Sequence, residues 1–132
     1  MQISSDTRTL YERIGGEQGV RRLVQSFYRH MDELAEVKSI RGMHAKSLKA
    51  SGEKLFMFLS GWMGGPQLYM EAYGHPRLRM RHLPFAIDDS ARDQWMLCMK
   101  LALDETVDDQ ALRDELHLSF QEIADFMRNQ PC

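Results

Sequence analysis

The densest group of chemically capable side chains lies between Tyr73 and Phe85, in the run YGHPRLRMRHLPF. It holds two histidines, His75 and His82, three arginines at alternating positions and a proline near each end. Because proline disfavours helix at the residue before it, any helix here is confined to about two turns. Imidazole can bind a metal and guanidinium can pair with an anion, so the segment suits a metal-bearing, anionic cofactor. The segment alone leaves open a surface histidine beside solvated arginines.

Composition and length narrow the class of protein. A chain of 132 residues with 43% hydrophobic residues predicts one domain with one core and one ligand pocket. The formal net charge of −2 gives no electrostatic reason to expect nucleic acid or an anionic membrane as a partner. No apolar run is long enough to span a bilayer, and the first eight residues lack the apolar stretch of a secretory signal. Two cysteines make no disulfide framework, so we expect a cytoplasmic protein.

Helical periodicity organises the first half of the chain. Residues 6–14 predict a short helix capped by Asp6 and ended by Gly15 and Gly16. Residues 18–34 carry apolar side chains at intervals of three and four, which predicts a long amphipathic helix. The pattern from 35 to 48 is weak and allows a turn or two of helix. A further helix is expected from about residue 49 to residue 63.

The second half begins with a segment, residues 66–74, that we expect to be irregular, followed by the short helix of His82. Asp88 and its acidic neighbours predict the start of a helix over residues 91–103. A second acidic turn ending at Asp109 predicts a last helix over residues 110–128. No run alternates with a period of two for long enough to form a strand. We therefore predict a single all-α domain over residues 1–132, with residues 1–8 as a partly flexible N-terminal extension.

Two helical pairs on either side of the His82 segment, with Gly-Gly stops at 15–16 and 64–65, resemble the two-over-two helical sandwich of the truncated haemoglobins. The run from Gly64 to Phe85, with Trp95 thirteen residues after His82, is similar to group II of that family. The resemblance covers residues 10–131 and implies that haem b is bound with His82 as the axial iron ligand. The other ring nitrogen of His82 needs an acceptor, for which we expect a backbone carbonyl in the same short helix.

The resemblance also implies three residues that face a bound ligand from the distal side. Tyr28, in the Phe27-Tyr28 pair, occupies the position of the family's distal tyrosine, although a core tyrosine bonded to a backbone carbonyl is the alternative. His44 aligns with a position where the family most often has Tyr or Phe, and a surface histidine is the alternative. Trp95 supplies an indole N–H donor, or else simply packs in the core. Imidazole changes charge between mildly acid and mildly alkaline pH, so we expect the part played by His44 to depend on pH.

The remaining contacts to haem follow from the same resemblance. One helix face is expected to cover the distal surface of the haem, and cations on either side are expected to pair with its propionates. His75 is expected near the haem edge or in a loop hydrogen bond. The residues concerned are Ser51, Leu55, Phe58 and Leu59 on the face, Lys54 and Arg81 at the propionates, and His75 and Phe85 on the proximal side.

Three distal donors predict a haem protein that binds O₂ and other diatomic ligands and releases O₂ slowly, because each donor stabilises the bound ligand. Such a protein suits detoxification of nitric oxide, peroxynitrite or peroxide, or redox sensing. Nitric oxide dioxygenase or peroxidase-like activity would require an unidentified reductase. The expected ligands are O₂, NO, CO or peroxides, and the expected state is a monomer or small homo-oligomer. The alternatives are a simple reversible oxygen binder or carrier, and an apo helical interaction domain.

Overall fold

The structure, a computed structural model, describes residues 7–129, apart from the side chains of residues 79 and 81. Within these residues the chain is helical and contains no strand. The helices are α1 (Leu10–Ile14), α2 (Gly16–Glu33), a 3₁₀ turn (Ala35–Val37), α3 (Lys38–Gly42), α4 (Lys49–Trp62), α5 (Leu68–Tyr73), α6 (Leu78–His82), α7 (Asp89–Thr106) and α8 (Gln110–Phe126).

Helix α1 begins later than the sequence predicts. Its cap is Thr9, whose hydroxyl accepts from the backbone N–H of Glu12 while the Glu12 carboxylate accepts from the backbone N–H of Thr9. Residues 7–9 are not helical, so the predicted start at residue 6 is wrong, and Asp6 itself lies outside the described residues. The reciprocal pair of bonds at Thr9 satisfies two backbone donors at once, which a single aspartate cap cannot do.

The two long C-terminal helices follow the acidic turns, as predicted, although α7 begins at Asp89, two residues before the predicted start at residue 91. The Asp88 carboxylate accepts from the Ala91 N–H at 2.8 Å, and the Asp109 carboxylate accepts from the Leu112 N–H at 3.2 Å. Each bond satisfies one of the free N–H groups in the first turn of its helix. Helix α7 continues to Thr106, three residues beyond the predicted end.

The sequence predicted an irregular segment between Pro66 and Gly74, and this prediction is wrong in part. It contains α5, six residues long and ended by Gly74 with a φ of 79°. No residue of α5 is buried. A helix this short and this exposed gives no long apolar period, so the pattern that indicates the other helices is missing here.

The core lies where one pair of helices crosses the other. Helix α2 packs on α4 and on α7, and α7 packs on α8, so the α2–α4 pair lies against the α7–α8 pair. The largest side chains that are fully buried at this crossing are Leu23, Phe27, Met31, Leu59, Met63, Met99, Leu103, Leu112, Leu116 and Phe120. The predicted all-α, two-over-two fold is confirmed. Among the described helices, none combines the length and apolar character needed to cross a membrane.

Candidate functional site

His82 is the last residue of α6, and one of its ring nitrogens is already committed to the backbone. Its Nδ1 lies 2.7 Å from the carbonyl oxygen of Leu78, one helical turn earlier. A carbonyl can only accept, so Nδ1 carries the proton and a neutral ring keeps its lone pair on Nε2. This is the arrangement in which imidazole binds a metal. The predicted acceptor in the same short helix is confirmed as Leu78.

The surface around His82 is apolar and open. Five of the seven large hydrophobic side chains that are exposed among the described residues fall between positions 70 and 85, each 40–53% exposed. They are Met70, Tyr73, Met80, Leu83 and Phe85. A concentration of exposed apolar side chains marks a binding surface. A flat, apolar group with a metal at its centre fits this surface and the Nε2 lone pair of His82 together.

His75, the other histidine of the segment, is exposed and lies in a loop. Its Nδ1 accepts from the backbone N–H of Arg77 at 3.2 Å. Arg77 itself has a left-handed backbone, with φ at 47°, and precedes α6 without a side-chain cap. Of the two placements expected for His75, the structure has the loop hydrogen bond.

Helix α2 supplies Phe27 and Tyr28, the second group of candidate residues. Phe27 is fully buried, and the ring of Tyr28 meets it edge to face at 4.9 Å. The Tyr28 hydroxyl donates to the backbone carbonyl of Ser51 on α4 at 3.4 Å, which is long for an O–H donor. Burial raises the pKa of Tyr28 well above its ordinary value, so the hydroxyl keeps its proton at all moderate pH values. Tyr28 is therefore a permanent donor with a weak partner.

His44 lies beside Tyr28, with 6.0 Å between the two ring centroids. Its Nδ1 lies 2.8 Å from the carbonyl of Ile40, four residues earlier. The neutral ring of His44 therefore keeps its lone pair on Nε2, as the ring of His82 does. The side chain is half-buried. The structure thus brings His44 into the neighbourhood of Tyr28, where it could accept a hydrogen bond.

Trp95, on α7, reaches the same region from the other helical pair. Its ring lies 5.1 Å from that of Phe27 and 5.9 Å from that of Phe120. Phe27 thus contacts both Tyr28 and Trp95, which places the two predicted distal residues around one buried ring. Among the described side chains, His82 has no ring contact or hydrogen bond with Tyr28, His44 or Trp95.

The other predicted pocket residues differ in their exposure. Leu55 and Phe58 are half-buried on α4, whereas Leu59 is buried in the core. The ammonium group of Lys54 lies 5.5 Å from the centre of the Tyr73 ring, which places a cation beside the exposed apolar side chains. The side chain of Arg81 lies outside the described part of the structure.

The sequence did not indicate two features of this region. One is a groove of about 320 Å³ between α2 and α4 that reaches Tyr28 and has Gly52 in its wall. At its rim, Arg21 contacts Glu53 at 3.4 Å and lies over the Phe56 ring at 3.9 Å. The other is Asn129, which contacts the segment after His82 from the end of the chain. Both depend on contacts between distant elements, for which a single sequence carries no local signal.

A two-over-two helical sandwich that carries a histidine with a fixed tautomer in a segment of exposed apolar side chains has the features of a small haem-binding protein of the truncated type. The chain belongs to the family of bacterial-like globins, which it matches over residues 9–129. The resemblance to group II truncated haemoglobins is confirmed. Membership implies that the chain binds haem and small gas ligands.

Several relatives cover almost the whole chain. It is 37% identical over 120 residues to the group 2 truncated hemoglobin YjbI of Bacillus subtilis, a match that spans 91% of this chain and 88% of that one. The structure is similar to the cold-adapted truncated hemoglobin of Pseudoalteromonas haloplanktis, with a TM-score of 0.92, 44% identity and coverage of 94% and 100%. It is also similar to the group II 2-on-2 hemoglobin of Agrobacterium tumefaciens, with a TM-score of 0.92, 42% identity and coverage of 98% and 100%.

Proposed function

We propose that this protein binds haem b through Nε2 of His82 and holds O₂ or another diatomic ligand on the distal side with slow release. The observation that carries the proposal is the 2.7 Å contact between His82 Nδ1 and the Leu78 carbonyl, because it fixes the tautomer that can bind iron. The haem iron supplies the position at which a diatomic ligand binds.

The chain's own residues would hold the porphyrin by burial and by charge. The exposed apolar side chains at positions 70–85 would be covered, which removes their area from water. Lys54 stands at the edge of this surface and would pair with a propionate, with Arg81 as the second cation. Leu55 and Phe58 would contact the distal face.

Tyr28 and Trp95 would retain the ligand by donating hydrogen bonds to it. The Tyr28 hydroxyl stays protonated, and the indole N–H of Trp95 can only donate. A hydrogen bond to a charged group stabilises the complex by about 1.5–3 kcal/mol. A change of about 1.4 kcal/mol in free energy corresponds to a tenfold change in the dissociation rate. Two such bonds would slow release by several orders of magnitude. Slow release favours detoxification of nitric oxide, peroxynitrite or peroxide, or redox sensing, each with an electron-donating reductase as partner.

A second function, simple reversible oxygen binding, is favoured by one observation. The Tyr28 hydroxyl and the Nδ1 of His44 both already donate to backbone carbonyls, of Ser51 and Ile40 respectively. If these bonds persist when a ligand is bound, Trp95 is the remaining distal donor and release is faster. The O₂ dissociation rate separates the two functions, since the second predicts a rate about tenfold or more above the first.

The proximal assignment is tested by absorption spectra of the ferric, ferrous and CO-bound protein. His82→Gly should lose or greatly weaken haem binding, and added imidazole should restore a histidine-type spectrum by filling the space left in the site. His75→Ala is the matched control, because it removes an exposed imidazole seven residues away and should keep the wild-type spectra. If the two variants exchanged these outcomes, His75 would be the iron ligand and the proposal would fail.

A further inference from the structure

The helix that carries His82 is too short to hold its own position. Helix α6 has five residues, and Arg77 before it offers no side-chain cap. Isolated helices of this length are unstable in water, and nearly all of their carbonyls lack a partner within the helix. Met80, within α6, is 52% exposed, so burial in the core contributes little to the helix. Contacts from outside α6 therefore hold its C-terminal end, where His82 lies: the backbone N–H of Phe85 donates to the His82 carbonyl at 2.9 Å, and a side chain from the far end of the fold adds to this turn.

Asn129 makes that contact from beyond the end of α8. Its side-chain Nδ2 donates to the carbonyl of His82 at 3.2 Å and to the carbonyl of Phe85 at 2.9 Å. Its Oδ1 accepts from the backbone N–H of Ile87 at 2.9 Å, and its own N–H donates to the Ile87 carbonyl at 2.9 Å. One residue thus links three points of the segment that joins α6 to α7.

The chemistry of these partners requires an amide. Two carbonyls need a donor and one N–H needs an acceptor, so the carboxamide of asparagine satisfies all three in a single orientation. The orientation is therefore set by the partners, since a flipped amide would face two carbonyls with its oxygen. Pro84 lies within the linked segment and has no N–H of its own to contribute to a turn.

We propose that Asn129 is a positioning residue for the proximal ligand: it fixes the carbonyl end of α6 and thereby the direction in which His82 presents Nε2. Two contacts then orient His82, one at its ring and one at its backbone. The Leu78 carbonyl fixes the ring through Nδ1, and Asn129 fixes the backbone of His82 itself. The inference rests on the proposed role of His82 as the iron ligand.

The test compares three variants of the haem-loaded protein. Asn129→Ala removes both side-chain donors and the acceptor. Asn129→Asp keeps an acceptor for the Ile87 N–H but places a carboxylate against two carbonyl oxygens. Arg128→Ala is the matched control, because it removes the neighbouring ion pairs with Asp89, at 2.8 Å, and with Asp125, at 3.0 Å, and leaves Asn129 in place.

Three measurements are made on each variant: hydrogen exchange of the Ile87 amide, the rate of haem transfer to excess apomyoglobin, and the iron–histidine stretching band of the ferrous form. For Asn129→Ala we expect exchange and haem transfer to rise about tenfold, because three side-chain hydrogen bonds of modest net strength are lost, and we expect the band to broaden. For Asn129→Asp we expect the Ile87 amide to stay protected while haem transfer still rises. Arg128→Ala should lower the melting temperature without broadening the band.

Two outcomes would overturn the inference. One is a stretching band in Asn129→Ala as narrow as in the wild type. The other is equal haem transfer in Asn129→Ala and Arg128→Ala. The His82→Gly spectra separate this failure from that of the proposed function, because they test the ligand whether or not Asn129 positions it. If His82→Gly kept its histidine-type spectrum without imidazole, the proximal assignment would fail even with Ile87 exchange changed as expected.

Discussion

At the scale of single residues, two imidazoles in this chain are held by the same device. His82 and His44 each donate Nδ1–H to a carbonyl four residues earlier, at 2.7 Å and 2.8 Å. Helical geometry places that carbonyl within reach, so the tautomer of either ring follows from local structure. The surroundings differ, because exposed apolar side chains flank His82 whereas His44 faces Tyr28. The shared tautomer leaves both rings able to accept or to bind a metal, and their positions separate the roles we propose for them.

Trp95→Phe should speed O₂ dissociation much more than it changes stability. Phenylalanine keeps most of the packing against Phe27 and Phe120 but removes the N–H donor. The loss of one hydrogen bond to a ligand with charge corresponds to a rate increase of roughly tenfold to a hundredfold. Stopped-flow measurement of O₂ release, with thermal unfolding alongside, gives both quantities.

The control for Trp95 is the other tryptophan. Trp62 stacks on Phe120 with 4.9 Å between centroids, and among the described residues it makes no ring contact with Phe27 or Tyr28. Trp62→Phe should therefore leave the dissociation rate unchanged. Equal O₂ dissociation rates in the wild type and Trp95→Phe would show that Trp95 only packs in the core.

At the scale of elements, the close packing of α1 against α2 depends on Gly19, which is not one of the Gly-Gly pairs that end predicted helices. A β-carbon built on Gly19 would lie 1.9 Å from the carbonyl oxygen of Ile14, which is backbone and cannot move aside. Gly19→Ala should therefore lower the free energy of unfolding by about 2 kcal/mol or more, as overpacking does in a closed site. Denaturant unfolding measures the change.

Gly42→Ala is the matched control for this effect. Gly42 ends α3 and has nothing within 4 Å of the added carbon. The substitution should be neutral or stabilise the protein by up to about 1 kcal/mol, because alanine restricts the unfolded chain. A similar loss of stability in both variants would mean that backbone freedom, rather than the contact with Ile14, sets the cost at Gly19.

The elements were predictable to the extent that their signals are local. Asp88 and Asp109 cap their helices as the sequence indicated, because a cap needs only a side-chain oxygen and an N–H three residues away. Helix α5 was missed because its six residues, four exposed and two half-buried, are too few to show an apolar period. Asn129 could not be found from sequence, since its partners at His82, Phe85 and Ile87 are 42 to 47 positions earlier and only the tertiary fold brings them together.

At the scale of the whole molecule, the buried apolar side chains and the exposed apolar side chains lie in different parts of the described chain. The fully buried side chains come mainly from α2, α4, α7 and α8, while most exposed large hydrophobic residues lie between positions 70 and 85. The helical sandwich thus has a closed core of its own, whereas the segment from residue 70 to residue 85 presents the apolar surface that we propose a haem covers. Loss of haem should accordingly affect residues 70–85 before it affects the core.

That closed core contains a titratable group whose ionisation reports on the stability of the whole fold. Cys98, on α7, is 0% exposed, and burial raises the pKa of its thiol from 9.0 to about 11. The folded state therefore binds the thiol proton more tightly than the unfolded state does. This contribution to stability is fully present below pH 9 and is lost as the pH rises through 11.

Cys98→Ala should remove this dependence. Both proteins are compared in a Cys132→Ser background, so that Cys98 is the single difference between them, and unfolding is followed by denaturant from neutral pH to pH 11 under reducing conditions. Below pH 9 the protein with Cys98 should be the more stable of the two, because alanine leaves a small cavity. That advantage should shrink by on the order of 2 kcal/mol between pH 9 and pH 11, while lysine and tyrosine ionisations cancel in the difference. A difference that stays constant over this range would show that the thiolate forms within the folded core at no cost.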